Sequence, residues 1–142
     1  MKLKLLIITL ALNTSIHANE RTLWVTPSED ACKSKSGQII SKGVCKAKWE
    51  DAKNICAASI ARLPTIDELQ QAVKNCKDTA KDDKNEYNAC YIKDGFVGTS
   101  SYWSSTTHEK FSTSAWGMNF YSAAKANGSK NNQVDVRCVK LK

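Results

Sequence analysis

A chain of 142 residues, 42% of them hydrophobic and 25% charged, has the size of one domain and enough apolar material to bury one core. Its 21 basic and 14 acidic residues leave a net charge of +7, which is basic without being extreme, and no DNA- or RNA-reading motif accompanies it, so nucleic acid is not an expected partner. Beyond the first twelve residues no apolar run is long enough to cross a bilayer.

The chain opens with Lys2 and Lys4, the apolar run Leu5 to Leu12, then Thr14, Ser15 and the small residue Ala18. This is the layout of a secretory signal peptide, residues 1–18, cut after Ala18. Loss of its two lysines lowers the net charge from +7 to +5. No cysteine lies at the cut, so no lipid-modified amino terminus is expected. Residues 19–142 are read as a single domain that is soluble after export, to the periplasm or the cell surface.

Leu23-Trp24-Val25, the turn chemistry of Thr26-Pro27-Ser28-Glu29-Asp30, and Gln38-Ile39-Ile40 between Gly37 and Gly43 predict short strands and turns. From Lys48, Trp49, Ala52, Cys56 and Ile60 recur at helical spacing without Gly or Pro, which predicts a first helix with Cys56 facing inward. Pro64 then precedes Thr65-Ile66-Asp67-Glu68, a capping box that starts a second helix. Ile66, Leu69, Val73 and Cys76 form its buried face. Lys77 to Asn88 is charged and poor in large apolar residues, and is expected to be a solvated excursion.

Three strands follow: Tyr102-Trp103-Ser104-Ser105; Trp116, Met118 and Phe120 in alternation; and Val134, Val136 and Cys138 alternating with Asp135 and Arg137. Ser122 to Gln133, with Asn127-Gly128 and small or polar neighbours, is expected to be a turn and loop connection.

Six cysteines behind a signal peptide point to disulfides formed in an oxidising compartment. Cys32 to Cys45 would close a small N-terminal loop. Cys76 to Cys90 would tie both ends of the charged excursion. Cys56 and Cys138 are then left for each other. Zinc is not expected, because its sites need closely spaced cysteines or nearby histidines, and the only His after the leader is His108.

Five blocks stand in order: Trp49-x-x-Ala52-x-x-x-Cys56; Ala61-Arg62-Leu63-Pro64-Thr65; Tyr102-Trp103-Ser104-Ser105-Thr106; Ala115-Trp116-x-Met118-Asn119-Phe120; and Val136-Arg137-Cys138-Val139. Together they resemble the bacterial family of the Legionella collagen-like protein's C-terminal domain, over roughly Val44 to Lys140. The resemblance implies an α+β, C-type-lectin-like fold, two helices packed on a twisted antiparallel sheet, with a bridge from the first helix to the last strand. That again pairs Cys56 with Cys138. The formylglycine-generating fold is a second relative by its Arg-Leu-Pro-Thr and Arg-Cys-Val blocks. Those enzymes need a further reactive cysteine pair, whereas every cysteine here has a structural partner to go to, so no enzyme is expected.

His108 sits in the polar run Thr106 to Lys110, where a solvated His is expected in place of a Ser-His-Asp triad. Asp67 and Glu68 are adjacent on a helix and point apart, and Glu68 is occupied by capping. Calcium-dependent sugar binding in this fold uses Glu-Pro-Asn or Gln-Pro-Asp with Trp-Asn-Asp, and neither motif occurs. The acidic residues Asp78, Asp82, Asp83 and Glu86 are interleaved with Lys77, Lys81 and Lys84, which oppose a cation. No cofactor or metal is expected. Trp103, Trp116 and Phe120 are expected in the core, and Tyr121 exposed.

Lys125, Lys130, Arg137, Lys140 and Lys142 gather at the last hairpin and tail, where an anionic polymer could lie or where they simply solvate the surface. The expected ligand-binding residues are therefore Tyr121, Lys125, Lys130, Arg137 and Lys140. The expected function is that of an exported, non-enzymatic, adhesin-like protein for an anionic polysaccharide. The alternative is a module that binds an envelope or host surface protein, as an accessory subunit or inhibitor.

Overall fold

The computed structural model describes residues 22–40, 43–80, 84–97 and 100–141, with the backbone alone for 78–80 and 84–88. The predicted leader, residues 1–18, and the acidic side chains Asp78, Asp82, Asp83 and Glu86 lie outside the described residues. In chain order the elements are β1 (Trp24–Val25), α1 (Glu29–Ser34), β2 (Gln38–Ile39), β3 (Cys45–Ala47), α2 (Trp49–Ala58) and β4 (Ala61–Arg62). There follow α3 (Ile66–Ala80), α4 (Lys84–Lys93), β5 (Ser101–Thr107), β6 (Ser114–Asn119), β7 (Ala124–Ser129), β8 (Val134–Asp135) and β9 (Cys138–Lys140). The fold is α+β, as expected, with four helices among the described residues in place of two.

Helix starts follow their caps. The Ser28 hydroxyl accepts the Ala31 amide at 3.1 Å and opens α1 within what reads as turn chemistry. At α3 both arms of the capping box are made: the Glu68 amide donates to Thr65 Oγ1 at 3.2 Å, and the Thr65 amide donates to Glu68 Oε2 at 2.8 Å. Arg62 clamps the same carboxylate with bonds of 2.8 and 2.7 Å. The Arg62 fork, and then the Thr65 amide, hold the Glu68 carboxyl below its ordinary pKa against the opposing effect of burial. The expected excursion Lys77 to Asn88 is a correction: α3 continues to Ala80 and α4 begins at Lys84. A helix satisfies its own backbone, so this polar stretch needs only an anchor, and Cys76–Cys90 together with the buried Tyr91 supplies one.

Two sheets organise the strands, a three-stranded one in the order β1-β9-β4 and a six-stranded one in the order β2-β3-β8-β5-β6-β7. The larger sheet is mixed, not antiparallel throughout, because β5 and β8 run parallel at Tyr102 and Asp135. The final apolar alternation is cut in two: Val134–Asp135 joins the larger sheet and Cys138–Lys140 the smaller. The expected loop Ser122 to Gln133 is also corrected, since β7 pairs with β6 from Ser114↔Ser129 to Asn119↔Ala124. Its sequence hides this because β7 is an edge strand with both faces largely exposed, so no apolar face is required.

Cross-strand partners share a face, so Tyr102, Met118 and Lys125 lie on one side of the larger sheet and Trp103, Gly117 and Ala126 on the other. Each side has its own core. Tyr102, Met118 and Phe120 pack with Leu69, Val73 and Cys76 of α3. Trp103 and Ala115 pack with Ala52, Ile55 and Cys56 of α2. Gly117 permits the close approach of β5, since a Cβ there would stand 2.5 Å from the Tyr102 carbonyl oxygen. All three expected disulfides are present, Cys32–Cys45, Cys56–Cys138 and Cys76–Cys90.

Candidate functional site

Trp116, Met118 and Phe120 alternate along β6 and the residue after it, but only the last two are buried; Trp116 is half-buried. The expectation of a core Trp116 is thus corrected. Its surroundings are built from the β5–β6 connection and from β7. The Lys125 ammonium stands 3.8 Å from the centre of the Trp116 ring, a cation–π contact. The His108 ring stacks on the same indole at 4.6 Å and 26°, and Phe111 lies 4.9 Å from His108. The indole N–H donates to Glu109 Oε2 at 2.9 Å. The Glu109 carboxyl is held below its ordinary pKa by its own backbone amide and by that indole. His108 is buried, contrary to the solvated His expected. Its Nδ1 accepts the Lys110 amide at 3.1 Å, and Trp116 and Phe111 cover its ring.

Lys130 belongs to another tryptophan. Its ammonium lies 4.0 Å from the centre of the Trp49 ring and donates to Thr107 Oγ1 at 3.0 Å, while Lys53 approaches the same ring at 4.5 Å. Trp49 is fixed by its indole N–H, which donates to the Ser104 carbonyl at 2.8 Å. Trp49 packs in the α2 core, so Lys125 and Lys130 attend opposite sides of the sheet. Tyr121 is 74% exposed in the β6–β7 turn, on the same hairpin as Lys125.

The other two expected residues are elsewhere. Arg137 is buried; it donates to Thr26 Oγ1 and, at 2.7 Å, to the Asp94 carbonyl, with its guanidinium above Phe96. Lys140 is exposed on β9, opposite Ala61 in the smaller sheet. The sequence reading missed Phe111, Glu109, Trp49, Lys53 and Thr107 as neighbours of the lysines, because only the strand register brings them together.

A model of the Lcl C-terminal domain matches residues 13–140. The chain belongs to the Lcl C-terminal domain family. No curated protein matches the chain. The Lcl family is bacterial, and membership suggests a secreted or surface-associated domain. The three disulfides of this Lcl domain accord with export to an oxidising compartment. Among its described residues no helix is long and apolar enough to cross a membrane.

Beneath the Lcl domain's larger sheet lies a polar group the alternation reading turned outward. Asp135 is 1% exposed, and among the described residues neither carboxylate oxygen has a partner in hydrogen-bonding geometry. Lys46 approaches only to 3.7 Å. Burial therefore pushes the Asp135 carboxyl pKa up, and the nearby Ser100 hydroxyl and Lys46 offset this only in part. A carboxyl with a raised folded-state pKa favours the folded chain when protonated, so stability should rise as pH falls from neutral through that raised value, until the unfolded carboxyl is protonated too. Asp135→Asn keeps a buried polar group but removes its charge, and is expected to add about 1–3 kcal/mol at pH 7. It should also flatten the wild type's gain on mild acidification. Urea midpoints followed from neutral pH down into the ordinary carboxylate range measure both; a variant less stable at every pH would show that the Lys46 pairing outweighs the burial.

Proposed function

We propose that the protein is an exported, non-enzymatic binding domain of C-type-lectin-like type, adhesin-like in use, that holds an anionic glycan on the β6–β7 hairpin. The observation that carries this reading is the Lys125 ammonium held over Trp116 on a hairpin whose turn carries the exposed Tyr121. A sulfated or carboxylated sugar presents an anion next to an apolar ring face, and an ammonium beside aromatic rings offers a complement to each. Lys130 and Lys53 around Trp49 repeat that pairing on the other side of the sheet. All six cysteines are committed to disulfides, so formylglycine-type oxidation would lack its thiol pair.

Binding to heparin-like and other sulfated polymers, arrayed at two salt concentrations, tests the proposal. Lys125→Glu and Lys130→Glu are each expected to weaken binding roughly three- to tenfold, and the double variant should flatten the salt dependence. Unchanged binding would remove the hairpin from the site. A second reading, an envelope protein-interaction module such as an accessory subunit or inhibitor, is favoured by Phe111 and Tyr121, which are 59% and 74% exposed. Recovery of one stoichiometric envelope protein at moderate salt, with no glycan bound, would put that reading first.

A further inference from the structure

Strand β7 is one edge of the six-stranded sheet, and its backbone phase can be read from two bonds. The Lys130 amide donates to the Thr113 carbonyl at 2.9 Å, one step past the Ser114–Ser129 pair. In an antiparallel ladder hydrogen-bonded pairs alternate with open ones, so Ala115–Gly128, Gly117–Ala126 and Asn119–Ala124 are the bonded pairs. On the far side of β6 the Phe120 amide donates to the Ser100 carbonyl at 3.0 Å, which turns Phe120, Met118 and Trp116 toward β5 and requires the same phase. Ala124, Ala126 and Gly128 therefore direct their amides into the sheet. Lys125, Asn127 and Ser129 direct theirs outward. The Ser129 carbonyl accepts the Asn132 amide, so among the described residues the edge offers three amides and two carbonyls.

Natural edge strands are blunted by shortness, proline, bulges or a charge laid across them. The opposite edge, β2, has 2 residues. β7 has 6, contains no proline, and keeps an unbroken register with β6. Its one charged side chain, Lys125, is drawn over Trp116. Among the described residues this edge is left open.

The charge around it selects what can lie there. Lys110, Lys125 and Lys130 stand against the single carboxylate of Glu109 at Trp116, and between Glu109 and Asp135 the sequence has no acidic residue. A second copy would set the same positive hairpin against itself, whereas an acidic strand would complement it. We propose that β7 accepts an extended, acidic segment of a protein partner as an added strand, held by the outward amides of Lys125, Asn127 and Ser129 and the carbonyls of the first two. This contact uses the backbone edge, and is separate from the side-chain surface proposed for glycan.

The probe is an acetylated, amidated peptide of about nine residues alternating valine and glutamate, long enough to span a strand. It is titrated into the oxidised protein by fluorescence anisotropy and followed by amide hydrogen exchange. Binding should slow exchange at Lys125, Asn127 and Ser129 by at least roughly tenfold and leave Ala124, Ala126 and Gly128 unchanged. Asn127→Pro deletes an outward donor without breaking the ladder to β6, and should weaken binding by roughly tenfold at an unchanged melting temperature. Ala126→Pro removes a ladder bond and should lower the melting temperature instead. No binding, equal binding by the valine–lysine peptide, or protection away from those three amides would overturn the proposal. The exchange pattern decides this even if the Pro variants misfold. Protection of the same amides that grows with protein concentration, without peptide, would assign the edge to a second copy and overturn the acidic partner.

Discussion

Replacing Cys56 and Cys138 together by alanine is expected to cost on the order of 4–5 kcal/mol, a large share of the roughly 5–15 kcal/mol that holds a domain folded. The two residues are 82 apart in sequence, the longest closure of the three bridges; the other two span 13 and 14 residues. In the chain-entropy treatment the longest loop removes the most freedom from the unfolded chain, although the dependence is logarithmic. The native-state loss adds to this. Cys56 and Cys138 are both fully buried in the α2 core, as Cys32 and Cys45 are, so two shortened side chains leave space in either case and loop length is what separates the pairs. The double variant should show a strongly lowered urea midpoint. The equivalent Cys32→Ala/Cys45→Ala variant should retain a transition, with a loss of about 3 kcal/mol. Equal losses for the two pairs would mean that loop length does not govern their contributions here.

What could be read from the sequence was whatever repeats with the period of its element. The inward faces of α2 and of the first part of α3 show such a pattern because one face of each is buried, the capping box at Thr65 and Glu68 has a fixed spacing, and strands β5 and β6 stand out by their large apolar residues, which feed a core on each side of the sheet. α1, α4 and β7 escaped because none needs an apolar face of ordinary length. α1 has only 6 residues and starts within turn chemistry, α4 is tethered by Cys90, and β7 is exposed on both sides. The break between β8 and β9 escaped for another reason. Val134, Val136 and Cys138 keep the period of a single strand, yet the chain leaves one sheet for another between Asp135 and Cys138.

The candidate site was less legible than the fold because charge in sequence does not specify direction. Arg137 and Lys125 carry the same charge on the last third of the chain, but Arg137 turns inward to Thr26 and the Asp94 carbonyl, and Lys125 outward onto Trp116. Gly95, with φ +78°, makes room for the first of these, since any Cβ there would collide with the Arg137 guanidinium. Likewise Lys125 and Lys130 are only a few residues apart, yet they attend different tryptophans, and the register of β6 with β7 decides which. Tyr121 alone could be assigned to the surface from the strand period, as it follows the buried Phe120.

The contrast between two tryptophans on one sheet supplies the other large effect. Trp103→Ala is expected to cost about 3–5 kcal/mol, whereas Trp116→Ala should cost no more than about 1–2 kcal/mol, because only the former is enclosed on every side. Trp103 is 2% exposed, lies among the α2-core residues, and its indole N–H donates to the Ala47 carbonyl at 3.0 Å. Removing it both opens a cavity and takes away a buried donor to the Ala47 carbonyl. Trp103→Phe separates the two contributions: it keeps most of the apolar bulk, loses the donor, and should cost about 1–3 kcal/mol. Trp116 is covered by His108 on one contact and by the mobile stem of Lys125 on another, and solvent can reach the space it leaves. Its replacement should therefore spare the urea midpoint while abolishing the cation–aromatic pair on which glycan binding is proposed to depend. If Trp116→Ala unfolded the protein as Trp103→Ala does, the hairpin would have to be counted as part of the core, and its aromatic residues could no longer be offered as a surface for ligand.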